Sequence, residues 1–369
     1  MVTATILIAG GGTGGHVFPM IAVGDAVRAL DPSARVVYCG TSRGIEARVI
    51  PEHGGELELL RVLPLRGGGV RAFLKGVTRA AGSIPEARAL VRRIRPDVVL
   101  SVGGYAAGPV SLAARLSGVA VTMLEPNSVL GLANRLLTPF AARAYLAFPE
   151  TERSLRPSVV RRSGVPLRRA FSPSPYAPKP GPITVLVLGG SQGSVALNAT
   201  VPKAIAAAVR RGVEVAVVHQ TGRDREAEVR ALYAELGVAS AQVVPFIDDV
   251  AEAITAADVV IERAGASSLA ELCAVGRASI LIPYPFAADD HQHKNALSLA
   301  RQGAAVALEQ SYATPARVAN ELERLARDPD LRVRTAKAAG ALGKPDAAFF
   351  VARDLLNLAR AGAWAKEAS

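Results

Sequence analysis

Thr5-Ile-Leu-Ile-Ala-Gly-Gly-Gly-Thr-Gly-Gly-His16, a short apolar run that breaks into a glycine-rich loop, decides the reading of the fold. The run Thr5–Ala9 is apolar without alternation, which suits a parallel strand covered on both faces. Glycines beyond it let the backbone approach a ligand closely, and the N–H groups of a following helix favour an anion. The second half of the chain opens alike, with Thr184-Val-Leu-Val-Leu-Gly-Gly190. Outward from these two stretches, apolar runs alternate with helix-length amphipathic segments. The first set falls near Val36–Cys39, Val98–Val102, Val119–Leu124 and Ala144–Ala147. The second falls near Glu214–His219, Gln242–Val244, Asp258–Ile261 and Ser279–Ile282. This is the pattern of α/β architecture. It predicts two Rossmann-like, doubly wound domains facing each other across a cleft, with ligands at the carboxyl ends of the strands.

The length of 369 residues suits two domains. Eight of the 24 prolines fall between Pro149 and Pro182, a stretch that sustains neither helix nor central strand. The expected division is 1–165, 166–345 and a C-terminal helix and tail, 346–369, that packs back on the first domain. Helices are expected over Thr314–Asp328, Leu331–Leu342 and Ala347–Ala361. Two distant cysteines, Cys39 and Cys273, make no disulfide framework, which points to a reducing cytoplasm. The N-terminus reads as a first strand, not a signal peptide, and no apolar run reaches membrane-spanning length. The net charge of +11 is concentrated: Arg61–Arg95 holds nine basic residues against Glu86 alone. Such a patch attracts an anionic membrane, a phosphorylated ligand or nucleic acid, or is simply a solvated surface.

Gly10, Gly12 and Gly15 satisfy the spacing of a dinucleotide fingerprint, but the second strand, Val36–Thr41, ends without the acid that would meet a ribose. Two further loops repeat the arrangement, Gly103-Gly-Tyr105 and Gly189-Gly-Ser-Gln-Gly193, and none fits an ATPase P-loop. His16 opens the helix after the first loop as a candidate proton acceptor, or as a capping or packing histidine. Ser268 and Glu271 have the spacing of a capping box, the alternative being a carboxylate that grips ribose hydroxyls. Asp289-Asp-His-Gln-His-Lys-Asn295 is unusually polar, yet residues two apart diverge on a helix, which disfavours a metal there.

Taken in order, Gly11-Gly-Thr-Gly-Gly-His-Val-Phe-Pro19, Gly103-Gly-Tyr105, Gly189–Gly193, Phe246-Ile-Asp-Asp249, Ala264-Gly-Ala266 with Glu271, and His291-Gln292 with Asn295 resemble the MurG family of peptidoglycan glycosyltransferases. The resemblance implies the GT-B fold and a hexosyltransferase. It implies inverting transfer of N-acetylglucosamine from UDP-N-acetylglucosamine to the C4 hydroxyl of the muramyl sugar of lipid I, giving lipid II in cell wall biogenesis. It implies donor contacts from Thr13, Gly14, Gly15, Asn127, Arg168, Ser191 and Ile247, from Ala266, Ser267, Ser268, Leu269, Ala270 and Glu271, and from Gln292. Gly103, Gly104 and Tyr105 are expected at the acceptor diphosphate, with His16 as base and Glu125 as a second catalytic candidate. No cofactor and no metal are expected. The sequence departs from the family at Leu124, where a histidine is usual, and at Val165 and Leu167.

The basic segment carries Val70, Phe73, Leu74 and Val77 on one helical face, flanked by Arg71, Lys75 and Arg79. That suits peripheral docking on the cytoplasmic face of a bacterial inner membrane, where the lipid acceptor resides, with other cell-wall proteins as further partners and no nucleic acid. Three other readings stay open: a GT-B transferase with another lipid or natural-product acceptor, a UDP-N-acetylglucosamine 2-epimerase, and a non-catalytic nucleotide-sugar-binding scaffold.

Overall fold

The computed structural model describes residues 3–61, 82–190, 192–238 and 240–367, with side chains described as far as 362. The chain divides into two compact units, 1–168 with 346–369, and 169–345.

In the first unit, β1 (Thr5–Ala9), β2 (Arg35–Thr41), β3 (Glu56–Leu60), β4 (Val98–Ser101), β5 (Ala120–Glu125), β6 (Arg143–Leu146) and β7 (Val160–Arg161) form one parallel sheet. Its order is β3-β2-β1-β4-β5-β6-β7. Successive side chains point to opposite faces, and both faces are covered. Ile6, Ile8, Val36 and Tyr38 share a core with residues of the helices Gly14–Leu30 and Ala347–Glu367. Leu7, Ala9, Val37, Cys39 and Val99 share another with residues of the helices Ile84–Ile94 and Ala107–Leu116. The unbroken apolar runs follow from this double burial. β3 was not anticipated: as an edge strand it alternates Glu and Leu, a pattern unlike the buried runs.

The helix Ala347–Glu367 belongs to the first unit although it follows the second in sequence. Tyr145 Oη donates to Asp354 at 2.9 Å, Arg143 lies 3.3 Å from the same carboxylate, and Arg360 pairs with Asp31 at 3.1 Å.

The second unit repeats the architecture. β8 (Ile183–Leu188), β9 (Val215–Gln220), β10 (Ala241–Val244), β11 (Val259–Glu262), β12 (Ala278–Leu281) and β13 (Val306–Ala307) run parallel in the order β10-β9-β8-β11-β12-β13. The prolines leading into β8 supply no N–H groups, so side chains of the unit hold that segment in place. Arg277, 4% exposed, donates to the Ser174 carbonyl at 2.6 Å and to the Thr255 carbonyl at 2.7 Å. Arg332 donates to Tyr176 Oη, which donates in turn to Asp258.

Candidate functional site

In each sheet the order reverses beside the first strand, and a glycine loop leaves the carboxyl end on either side of that reversal. In the first unit the register pairs Ala9 with Ser101, so the loops after β1 and β4 emerge together. Gly11 (φ +136°), Gly12 (+96°), Gly103 (+94°) and Gly104 (+88°) all adopt backbone that favours glycine. A Cβ on Gly104 would lie 2.5 Å from the Gly11 carbonyl oxygen, so the two loops meet backbone to backbone. Thr13 precedes the helix Gly14–Leu30 as its N-cap, and its side chain caps nothing. The N–H groups of Gly14 and Gly15 therefore have no intrahelical acceptor, whereas that of His16 already bonds the Thr13 carbonyl at 3.1 Å.

His16 joins the two loops. Its Nδ1 lies 3.1 Å from the Gly11 carbonyl oxygen, and a carbonyl only accepts, so the neutral ring carries its proton on Nδ1. Nε2 is then the lone-pair nitrogen, and it faces Gly103, where an added Cβ would come within 3.3 Å. The Arg168 guanidinium lies 5.7 Å over the ring of Phe18, near the start of the same helix. His16, Gly10–Gly15, Gly103–Tyr105 and Arg168 thus gather at one end of one sheet.

Glu46 was missed by sequence reasoning. It is fully buried and accepts from the Gly12 N–H at 2.8 Å, and from Thr41 N–H and Oγ1, both at 2.9 Å. A Cβ on Gly11, Gly40 or Gly44 would collide with this carboxylate. The acid expected of a dinucleotide site at the end of β2 is thus present in space, but it is turned inward onto the glycine loop.

Glu125 sits at the end of β5, 2% exposed, and accepts four hydrogen bonds. They come from Asn127 N–H (3.1 Å), Asn127 Nδ2 (3.3 Å), Gly131 N–H (2.8 Å) and Asn134 Nδ2 (3.1 Å). A carboxylate with that many donors organises its loop and aims Asn127. Leu124, at the departure from the family pattern, is wholly buried in the core.

In the second unit the loop after β8 rests on the loop after β9. A Cβ on Gly193 (φ +73°) would lie 2.0 Å from the Thr221 carbonyl oxygen, and Gly189 N–H donates to Gln220 Oε1 at 3.0 Å. Gln220 Nε2 reaches the Pro245 carbonyl at 3.2 Å, tying this loop to the segment that carries half-buried Ile247. Below lies a buried polar chain that the sequence reading also missed. Asn198 Nδ2 donates to the Thr221 carbonyl (3.0 Å), which leaves Asn198 Oδ1 to accept from His219 Nε2 (3.2 Å). His219 Nδ1 then accepts from Tyr233 Oη (3.0 Å).

Burial pushes His219 down to about 4, so the folded unit holds it neutral. The unfolded chain binds that proton near pH 6.5, so this contribution is complete above pH 6.5 and is lost as pH falls towards 4. It amounts to about 3 kcal/mol at most. Urea unfolding at pH 7.5 and 5 should show this loss in the wild type and not in His219→Leu; equal pH slopes would contradict it.

The helix Ala266–Val275 corrects the capping-box expectation. Its N-cap is Gly265, with no side-chain cap, so Ser267 and Ser268 lie inside the first turn and Glu271 lies deeper in the helix. Ser267 Oγ is buried with no hydrogen-bond partner. Beside the helix start, Glu262 is buried and keeps its proton well above the usual carboxylate range, because of burial first and the Glu271 charge second. Gln292 Oε1 accepts from the Tyr284 N–H at 3.0 Å, which directs its amide nitrogen away from that backbone. Asn295 Nδ2 donates to the Ala264 carbonyl at 3.2 Å, fastening the polar helix to the Ala264–Ala266 turn. His291 Nδ1 bonds the Ala288 carbonyl while His293 Nε2 lies 3.7 Å from Glu309. Among the described residues no three His, Cys, Asp or Glu side chains converge as metal ligands.

Residues 6–146 match the N-terminal domain of glycosyltransferase family 28, and residues 184–349 match its C-terminal domain. The chain belongs to glycosyltransferase family 28. It is 68% identical to a UDP-N-acetylglucosamine--N-acetylmuramyl-(pentapeptide) pyrophosphoryl-undecaprenol N-acetylglucosamine transferase of Sorangium cellulosum, over 97% of this chain and 89% of that one. The enzyme of the same name from Acidithiobacillus ferrooxidans is 44% identical over 96% of this chain and 98% of its own. The crystal structure of Acinetobacter baumannii MurG is similar with a TM-score of 0.80 at 30% identity, covering 96% of this chain and 99% of that one. The two parallel-sheet units are therefore the paired Rossmann-like domains of a GT-B, family 28 enzyme. Ser191, and Arg71, Phe73, Leu74, Lys75, Val77 and Arg79, lie outside the described residues. No described helix is long and apolar enough to cross a membrane.

Proposed function

We propose that this family 28 chain transfers N-acetylglucosamine from UDP-N-acetylglucosamine to the C4 hydroxyl of the muramyl sugar of lipid I, with inversion, yielding lipid II for peptidoglycan. The observation that carries the reading is 68% identity, over nearly the whole chain, to a curated transferase of that name. The loops supply the means. His16 Nε2 takes the proton of the acceptor hydroxyl as its oxygen bonds to the anomeric carbon. The bond from that carbon to the donor phosphate breaks, and UDP leaves with the electron pair. The uncapped N-terminus of the helix Ala266–Val275 suits the diphosphate, since its N–H groups and dipole favour the charge that develops there. Glu271 serves the ribose and Gln292 the sugar, while Glu125 positions Asn127. Gly103, Gly104 and Tyr105 serve the acceptor diphosphate, and no divalent metal takes part. Purified protein with radiolabelled UDP-N-acetylglucosamine and a lipid I analogue tests this with and without EDTA. Labelled lipid in both arms supports it, and no labelled lipid in either arm sinks it.

The enzyme works as a peripheral protein on the cytoplasmic face of the inner membrane. Arg88, Arg92, Arg93 and Arg95 continue the basic segment on exposed positions of, and just after, the helix Ile84–Ile94. Charges near an anionic surface are worth about 1 kcal/mol each. Reversing Arg71, Lys75 and Arg79 to Glu should therefore release the protein from phosphatidylglycerol vesicles at low salt in a sedimentation assay. Undiminished binding would remove this surface from the account.

A further inference from the structure

Glu46 and His16 contact opposite ends of one peptide unit. The Gly12 N–H donates to Glu46 Oε2 at 2.8 Å. The Gly11 carbonyl of that same unit accepts from His16 Nδ1 at 3.1 Å. No peptide bond in the described chain is cis, so within this planar unit the N–H and C=O point in opposite directions. Whatever fixes one end fixes the other.

We propose that Glu46 is a positioning residue for the transfer step, acting on His16 through the Gly11–Gly12 peptide. This rests on the reading of His16 Nε2 as the proton acceptor. The order carboxylate, N–H, C=O, Nδ1–H leaves one arrangement of donors and acceptors along the relay. The carboxylate only accepts, so the Gly12 N–H must face it and the Gly11 carbonyl must face the ring. The ring must then hold its proton on Nδ1 and present Nε2 as the lone-pair nitrogen. Hydrogen bonds in such a chain polarise one another, and the Glu46 charge strengthens the carbonyl that supports the ring as Nε2 takes up a proton.

Glycine at both positions makes the relay dependent on Glu46. With φ of +136° and +96°, Gly11 and Gly12 have no side chain to resist a peptide flip. The ring at the other end can accept or donate according to its tautomer, so the carboxylate, which only accepts, decides the orientation. Thr41 N–H and Oγ1 both bond Oε1, which fixes the carboxylate so that Oε2 faces the loop. A Glu46→Gln side chain keeps its oxygen on Thr41 and turns an NH2 group toward Gly12. Two donors then face each other and the peptide flips. The carbonyl turns to the amide, the Gly12 N–H turns to the ring, and the proton of His16 moves to Nε2.

The test is long-range proton–nitrogen NMR of the histidine rings of the full-length protein, with His16 assigned by its absence in His16→Ala. Wild type should show the Nδ1–H tautomer and Glu46→Gln the Nε2–H tautomer, whereas Thr41→Val should retain Nδ1–H. In the transferase assay Glu46→Gln should lower kcat by about 100-fold, the lower end of a general base's contribution, with little change in KM for UDP-N-acetylglucosamine. Glu46→Gln that keeps Nδ1–H, or wild type with Nε2–H, overturns the relay. If Glu46→Gln does not fold, the wild type decides. A coupling across the hydrogen bond from the Gly12 amide nitrogen to the Glu46 carboxyl carbon, with Nδ1–H at His16, supports the proposal, and absence of the coupling overturns it. The spectra need no turnover, so failure of the transferase reading is seen separately.

Discussion

His16→Ala is expected to lower kcat by about 10²- to 10⁴-fold while leaving KM for UDP-N-acetylglucosamine within a few fold, the signature of a lost general base. The side chain is half-buried at the mouth of the loop, and removing it breaks the bond to the Gly11 carbonyl. That bond is worth about 1 kcal/mol, so thermal stability should fall little. Steady-state kinetics with saturating donor, alongside a melting curve, checks the separation. Near-normal kcat would remove His16 from the mechanism. A large loss of stability with proportionate loss of activity would reduce it to a packing residue.

Gly104→Ala is expected to damage stability and activity together. The φ of +88° alone costs an L-residue about 1–2 kcal/mol. The new Cβ would also lie 2.5 Å from the Gly11 carbonyl oxygen, 3.1 Å from the Gly11 nitrogen and 3.2 Å from its carbonyl carbon, so turning one peptide does not make room for it. The loop must move, and that carbonyl is the one holding His16. A displacement of about 1 Å at a reacting group can cost 100-fold in rate. Gly12→Ala gives the contrast for stability, because its Cβ would meet nothing within 4 Å and pays only for its φ of +96°. Urea titrations should rank Gly104→Ala below Gly12→Ala; equal stabilities would mean the two glycine loops do not bear on each other as described.

The strands that lead into each glycine loop were legible because burial on both faces leaves unbroken apolar runs, and Thr5–Ala9 was read to the residue. The edge strand Glu56–Leu60 was not, because half-exposed residues alternate in a way an amphipathic surface also does. The glycines themselves were visible in sequence, but their reasons were tertiary. Gly103 leaves room for His16, Gly104 for Gly11, and Gly193 for Thr221. Glu46 looked like any acid at the start of a short helix, and its one local hint is the pair of glycines, Gly40 and Gly44, around it. His219 and Gln220 close an apolar strand with polar side chains, a sign of work at its end that went unread. The capping box at Ser268 failed because glycine caps a helix only a few tenths of a kcal/mol less well than serine, so Gly265 could start it earlier.

A single displacement at the anomeric carbon by the C4 hydroxyl of the muramyl sugar leaves its record in the linkage of the product. UDP-N-acetylglucosamine carries its sugar in the α configuration, so one inversion must give a β-(1→4) disaccharide on the lipid. Proton NMR of the disaccharide released from product made by the purified chain should show the large anomeric coupling of a β linkage and a substituted C4. An α linkage, or transfer to another hydroxyl, would contradict the account.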